Sequence, residues 1–101
     1  MVVSTQTKTK EPYTDEFVSE NVFIRTITQD SIDSTEFTWH RDRSNRSVEV
    51  IKSQGWQMQF DNSLPRLLNE GDLVFIKKEE FHRIIKGNGD LVVRITENES
   101  V

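Results

Sequence analysis

From Val22 onward, short runs of β-branched and aromatic residues are separated by turn-forming residues. Within most runs apolar and polar residues alternate, a period of two that is typical of strands with one buried face. Turn signals at 61–63 and 87–89 mark two of the boundaries. The predicted strands span residues 22–28, 35–41, 46–52, 56–60, 64–68, 73–76, 81–85 and 91–95. About eight short strands without a convincing helix predict an all-β sandwich or a small barrel.

The first twenty residues differ from the rest in composition. They are rich in Thr, Lys and Glu and are interrupted by Pro12. Such a segment buries little apolar surface, so we expect a flexible N-terminal arm at 1–20 and a single barrel domain at 21–101. Tyr13, Phe17 and Val18 are candidate anchors of the arm, either on the domain or on a partner. The arm is expected to be dispensable for folding.

Composition and charge exclude several classes of function. The chain has 101 residues, no cysteine and a formal net charge of −4. The negative charge argues against general nucleic-acid binding, which needs a basic face. The absence of cysteine excludes disulfides and thiolate zinc sites. No apolar run approaches the length of a membrane span, and the first residues lack the apolar stretch of a signal peptide. We therefore expect a cytoplasmic protein that binds neither nucleic acid nor membranes.

The two histidines of the chain carry its most specific chemistry. His40 and Asp42 are two residues apart on a predicted strand, so their side chains point to one face, and His82 lies on a later strand that could pair beside them. Two imidazoles and a carboxylate facing a cavity, here called the triad, form a site for a divalent transition metal with positions open for substrate. The alternative is that both histidines are ordinary strand residues, and that Asp42 pairs with a neighbouring arginine.

The order of these elements resembles the cupin superfamily. Its first motif has the form H-x-H, followed by a glutamate and a glycine-containing turn, and its second has the form G-x5-P-x-G-x2-H. The first motif maps to residues 40–42 and the turn at Gly55, and the second runs from Gly71 to His82. The resemblance covers residues 22–97. Within the superfamily, the pattern of this chain is similar to that of small cupin-like proteins of bacteria and bacteriophages. It implies an all-β, double-stranded β-helix (jelly-roll) barrel with a polar N-terminal arm.

Four positions depart from the cupin motifs. Asp42 stands at the second histidine and Arg46 at the glutamate, while Lys77 and Glu79 replace the proline and the glycine of the second motif. Arg46 matters most, because a guanidinium has only hydrogen-bond donors and cannot ligate a cation.

Three interpretations of Arg46 are open at this point. It pairs with Asp42 in an empty pocket, or it binds a carboxylate or phosphate of a ligand through two hydrogen bonds, or it points outward in a different strand register. The third is disfavoured because Arg46, Val48 and Val50 share one face of their strand. Gln57 and Gln59 also share a face, and they would contact a ligand only if that face lines the cavity.

The residues and the resemblance together predict a small metal-binding cupin that binds or acts on an anionic small molecule. The triad would hold Fe, Mn, Zn or Ni, with Arg46, Gln57 and Gln59 around the ligand. If the protein is an enzyme, the resemblance implies an Fe(II)- or Mn(II)-dependent dioxygenase or an isomerase. The alternative is a metal-free, non-enzymatic barrel that binds a small molecule or a protein. Open sheet edges also predict a homodimer.

Overall fold

The structure, a computed structural model, describes residues 13–30 and 35–98. In chain order its elements are β1 (Tyr13–Phe17), β2 (Val22–Ile27), a 3₁₀ turn (Thr35–Phe37), β3 (Asn45–Lys52), β4 (Gln57–Phe60), β5 (Arg66–Leu67), β6 (Leu73–Ile76), β7 (His82–Ile85) and β8 (Leu91–Asn98). Among the described residues, no helix has the length and apolar character needed to cross a membrane.

The strands pair in two antiparallel sheets. The larger sheet has the order β1-β2-β8-β3-β6, and the smaller has the order β5-β4-β7. The chain passes between the sheets after β3, β5, β6 and β7, so neither sheet is built from one continuous stretch of sequence. Two such sheets around a shared apolar core form a jelly roll. The predicted all-β jelly-roll architecture is confirmed.

Buried and exposed residues alternate along the strands, and the buried residues form the core. On β6, Val74 and Ile76 are buried, while Leu73 and Phe75 are exposed on the opposite face, which is the period of two expected for a half-buried strand. Trp56 is fully buried, and its indole Nε1 donates to the carbonyl oxygen of Asn88 at 3.1 Å. The buried apolar cluster contains Phe23, Ile27, Val48, Val50, Trp56, Met58, Leu68, Val74, Ile76, Ile84, Leu91, Val93 and Ile95.

Residues 35–41 do not form the strand that their β-branched and aromatic side chains predict. Thr35–Phe37 is a 3₁₀ turn, and His40 joins a sheet only through an isolated bridge to His82. The turn places the ring of Phe37 against Trp56, with centroids 6.3 Å apart. Tertiary packing therefore overrides the local β propensity in this segment.

The predicted strand at 64–68 is shorter in the structure. Only Arg66–Leu67 pairs with β4, and Leu68 is buried, with its N–H donating to the carbonyl oxygen of Trp56 at 2.9 Å. Pro65 has no N–H to contribute to a ladder, which accounts for the late start of β5.

Part of the predicted N-terminal arm is a strand. Residues 1–12 lie outside the described residues, whereas β1 pairs with β2 over five residue pairs. Asp15 forms an ion pair with Arg25 of β2 at 2.8 Å, and the guanidinium of Arg25 lies 3.8 Å from the centre of the Tyr13 ring. Residues 13–17 therefore anchor on the domain itself, and the arm-to-barrel boundary at residue 20 stays a prediction.

Candidate metal centre

His40 and His82 lie side by side because their backbones pair. The N–H of each donates to the carbonyl oxygen of the other, at 3.0 Å and 2.9 Å, in an antiparallel bridge. Side chains of directly paired residues lie on the same face of a sheet, and the two imidazole centroids are 4.3 Å apart. This bridge brings together the two histidines that are distant in sequence.

Asp42 completes a compact group of three side chains. One ligand-capable atom each from His40, Asp42 and His82 lies within 4.8 Å of the others, and Oδ2 of Asp42 is 3.5 Å from Nε2 of His82. Nε2 of His40 and Oδ2 of Asp42 are buried and make no hydrogen bond. Because buried polar atoms without a partner are costly, these two atoms fit a site in which a cation satisfies them.

The second nitrogen of each imidazole is held by the backbone. Nδ1 of His40 lies 2.8 Å from the carbonyl oxygen of Thr38, and Nδ1 of His82 lies 2.9 Å from that of Glu80. A carbonyl can only accept, which assigns the proton of each neutral ring to Nδ1 and leaves a lone pair on Nε2. A hydrogen bond of this kind fixes ring orientation in metal sites and increases the basicity of the ligating nitrogen.

Arg46 points into the barrel from β3 and pairs with two carboxylates. Its Nε and Nη2 donate to Oε2 of Glu97 at 3.1 Å and 2.7 Å, and its Nη1 lies 3.5 Å from Oδ1 of Asp42. The outward-pointing interpretation is therefore wrong, because Arg46 lines the interior cavity. The contact of Arg46 with Asp42 is present. The guanidinium has five N–H groups, so it could also donate to a ligand while it contacts the two carboxylates, and contact with a ligand stays a prediction.

Glu36 is a carboxylate at this site that sequence reasoning missed. Its Oε1 lies 3.7 Å from Nε2 of His40, and its Oε2 accepts a hydrogen bond from Nη1 of Arg25 at 3.2 Å. The spacing of four residues between Glu36 and His40 was the available signal. It was missed because residues 35–41 were predicted as a strand, on which that spacing does not give contact, whereas the 3₁₀ turn brings the two side chains together.

Arg25 anchors Glu36 from the opposite side and is itself buried. Burial alone lowers the pKa of Arg25, but the hydrogen bonds that Arg25 donates to Asp15 and the charges of Glu36 and Asp15 outweigh it and raise that pKa above its ordinary value. A raised folded-state pKa means that the network stabilises the fold throughout the neutral range and is lost only at strongly alkaline pH. The guanidinium of Arg25 therefore stays charged beside Glu36.

A cavity of about 30 Å³ lies in the barrel interior beside His82, whereas His40 and Asp42 do not line it. His82, Arg46, Arg25 and Glu36 contribute to its lining, and the remaining lining residues are apolar. This volume holds roughly one or two water molecules. The interior thus has room for a small group beside the triad and not for a bulky substrate without rearrangement.

Gln57 and Gln59 lie apart from the triad. They alternate on β4 with Met58, which is buried and lines the cavity, so their side chains leave from the other face. Gln59 accepts a hydrogen bond from Nε of Arg83 at 3.0 Å and donates to the carbonyl oxygen of Ser63 at 3.0 Å. The structure does not bring either glutamine to the cavity, and ligand contact on the outer face stays a prediction.

Comparison of the fold with solved structures gives similar proteins of about the same length. An RmlC-like cupin family protein from Methanocaldococcus jannaschii has 16% identity and a TM-score of 0.63, covering 94% of this chain and 87% of the other. A cupin-2 domain protein from Shewanella frigidimarina has 17% identity and a TM-score of 0.62, covering 90% and 85%. No protein-family model and no curated protein matches the sequence.

Larger proteins contain a similar barrel as part of their structure. A DMSP lyase has 13% identity and a TM-score of 0.64, and this chain spans only 38% of its length. The iron(II) form of HppE has 15% identity and a TM-score of 0.59, with 41% of its length covered. The similarity at these identities is one of fold. The chain therefore has the double-stranded β-helix fold of the cupins.

Proposed function

We propose that this protein binds a divalent transition metal, one of Fe, Mn, Zn or Ni, through His40, Asp42 and His82, and that it binds or acts on a small anionic molecule at the open positions of that metal. The carrying observation is the triad itself. Its ligand-capable atoms lie within 4.8 Å of one another, and Nε2 of His40 and Oδ2 of Asp42 are buried without a hydrogen bond.

The charges around the triad also support a bound cation. The guanidinium groups of two arginines face the carboxylates of four acidic residues in partly buried contacts. With neutral histidines this group carries a surplus of two negative charges, which a divalent cation would neutralise. The group consists of Arg25, Arg46, Asp15, Glu36, Asp42 and Glu97.

The residues around the triad have separable roles in this proposal. The backbone carbonyls at Thr38 and Glu80 orient the two imidazoles, and Arg46 holds Asp42 while presenting a positive charge to the cavity. That charge would attract a carboxylate or phosphate group. A bound metal would supply Lewis-acid polarisation or an oxygen-binding centre, the chemistry of a dioxygenase or an isomerase. The similar structures include iron(II) HppE and a putative mannose-6-phosphate isomerase from Ralstonia eutropha.

Calorimetric titration tests the proposed metal site. The parent protein is titrated with Mn(II), Fe(II), Zn(II) and Ni(II) under conditions that keep iron reduced. His40→Ala and His82→Ala should each weaken binding by at least about 100-fold, because each removes one of three ligands. Gln57→Ala, on the outer face of β4, is a matched control that should leave metal binding unchanged. No heat with any ion for the parent, or binding by both histidine variants that is as tight as that of the parent, would refute the proposal.

A metal-free, non-enzymatic barrel is the second candidate function. Two observations favour it: Nη1 of Arg46 lies 3.5 Å from Asp42, and the adjacent cavity has only about 30 Å³. In this case the positive charge of Arg46 partly replaces that of a metal. The barrel would then serve as a binding module for a small molecule or a protein, and the same titration separates the two candidates.

A homodimer is part of the proposal. Leu73 and Phe75 on the edge strand β6 are 73% and 53% exposed, on the outer face of the larger sheet. Exposed apolar residues beside an unpaired edge favour association with a second copy. Light scattering on the full chain measures the oligomeric state directly. A molar mass equal to that of the monomer at micromolar concentration would contradict the predicted homodimer. Location in the cytoplasm stays a prediction.

A further inference from the structure

The carboxylate of Glu36 lies on the metal-facing side of His40. Its Oε1 is 3.7 Å from Nε2, which is the nitrogen left with the lone pair and the one that makes no hydrogen bond. Glu36 comes from the 3₁₀ turn that precedes the triad, and it lines the same interior cavity as His82. Two independent features, a partly buried carboxylate and an unsatisfied buried nitrogen, therefore converge on one position.

The distance between the two atoms is compatible with a shared ion. Ligands with bonds of about 2.1 Å to one metal are separated by about 3 Å when adjacent and by about 4.2 Å when opposite, and 3.7 Å lies between these values. Among the described residues, the set of atoms that all lie within 4.8 Å of one another is the triad. Glu36 lies outside that set, so its side chain has to move toward Asp42 and His82 to join them.

Arg25 holds one oxygen of the Glu36 carboxylate. Nη1 of Arg25 donates to Oε2 of Glu36, while Nε and Nη2 of the same guanidinium donate to Asp15 at 2.8 Å and 2.9 Å. One carboxylate oxygen is thus fixed and the other is directed at the triad. Such outer partners orient ligating carboxylates in metal sites.

We propose that Glu36 is a fourth protein ligand of the metal bound by His40, Asp42 and His82, with Arg25 as its positioning residue. The inference rests on the proposed metal function and extends it to a site of two imidazoles and two carboxylates. The second carboxylate would come from the turn that precedes the triad, whereas the guanidinium of Arg46 cannot ligate. A hard, anionic oxygen in this place favours Fe(II) and Mn(II) over softer ions.

Co(II) binding to the purified full-length chain tests the inference, because visible absorption of Co(II) reports the number and type of its ligands. Glu36→Gln should lower Co(II) affinity by about 10- to 100-fold and change the absorption bands. Glu36→Asp keeps the negative charge but shortens the side chain, so it too should change the bands if Glu36 is a ligand. Glu49→Gln, an exposed carboxylate on the outer face of β3, is the matched control and should match the parent.

The possible outcomes are distinguishable. Changed bands in both Glu36 variants support ligation. Parent-like bands and affinity in Glu36→Gln overturn the inference and leave the metal proposal standing. A loss of affinity in Glu36→Gln with parent-like bands and affinity in Glu36→Asp shows an effect of charge alone and also overturns it. A parent protein that binds no Co(II) overturns both proposals. If Glu36→Gln does not fold, Glu36→Asp decides through its bands.

Discussion

The guanidinium of Arg46 lies between Glu97 and Asp42, and its effect depends on whether a metal is bound. Without a metal, it compensates a carboxylate of the triad. With a metal, it places a positive charge close to a cation and raises the free energy of the bound state. The same residue therefore stabilises the apo protein and weakens metal binding.

Replacing Arg46 with Met, which keeps much of the volume, separates these two effects. Arg46→Met should lower the free energy of unfolding of the metal-free protein by about 1–3 kcal/mol, because Asp42 and Glu97 lose their partner. It should also tighten metal binding, by up to about tenfold, and weaken the binding of anions. Thermal unfolding with and without metal, together with calorimetry, measures both. Weaker metal binding in Arg46→Met would contradict the expected repulsion between Arg46 and the bound cation.

At the scale of single residues, sequence identified the triad but not its neighbours. The spacing of His40 and Asp42, and the position of His82 in the second motif, located the three side chains that the structure brings together. Glu79 occupies the glycine position of that motif with φ of 67°, so the turn keeps its left-handed conformation without a glycine. The role of Glu36 could not be predicted, because it depends on a turn that packing creates against local propensity.

At the scale of elements, β1 is the clearest departure from expectation. Its residues are mostly exposed, but Tyr13 and Asp15 contact the buried Arg25, which in turn holds Glu36. Composition alone indicates a polar arm, since alternation over five residues with few apolar side chains gives a weak strand signal. The strand forms because β2 offers it the edge that β8 does not occupy and a buried charge that needs a carboxylate.

Two truncations test the contribution of β1. Deletion of residues 1–12 should leave the thermal midpoint nearly unchanged, as expected for the polar arm. Deletion of 1–19 removes β1 and leaves Arg25 without Asp15. It should therefore lower the free energy of unfolding by about 2–4 kcal/mol and the thermal midpoint by on the order of 10 °C or more. Differential scanning calorimetry measures both proteins. Equal midpoints for the two truncations would show that β1 contributes no stability.

At the scale of the whole molecule, the period of two and the spacing of turns predicted an all-β sandwich or small barrel, and the resemblance to cupins implied the jelly roll that the structure has. Strands β3, β6, β7 and β8 overlap their predicted ranges, because each has one buried apolar face. The pairing between β1 and β2 and the ion network through Arg25 join neighbouring segments of the chain, but they depend on charged and exposed side chains that give no apolar periodicity. The fold was therefore more predictable than the surroundings of the site.

Elemental analysis of the protein, produced without a histidine tag, tests the metal-binding claim most directly. The parent and a His40→Ala/His82→Ala double variant are loaded with the same mixture of Fe(II), Mn(II), Zn(II) and Ni(II), desalted, and analysed per mole of chain. We predict about one transition-metal ion per chain in the parent and essentially none in the double variant. A parent without metal, or equal metal content in the two proteins, would contradict the assignment of His40, Asp42 and His82 as a metal centre.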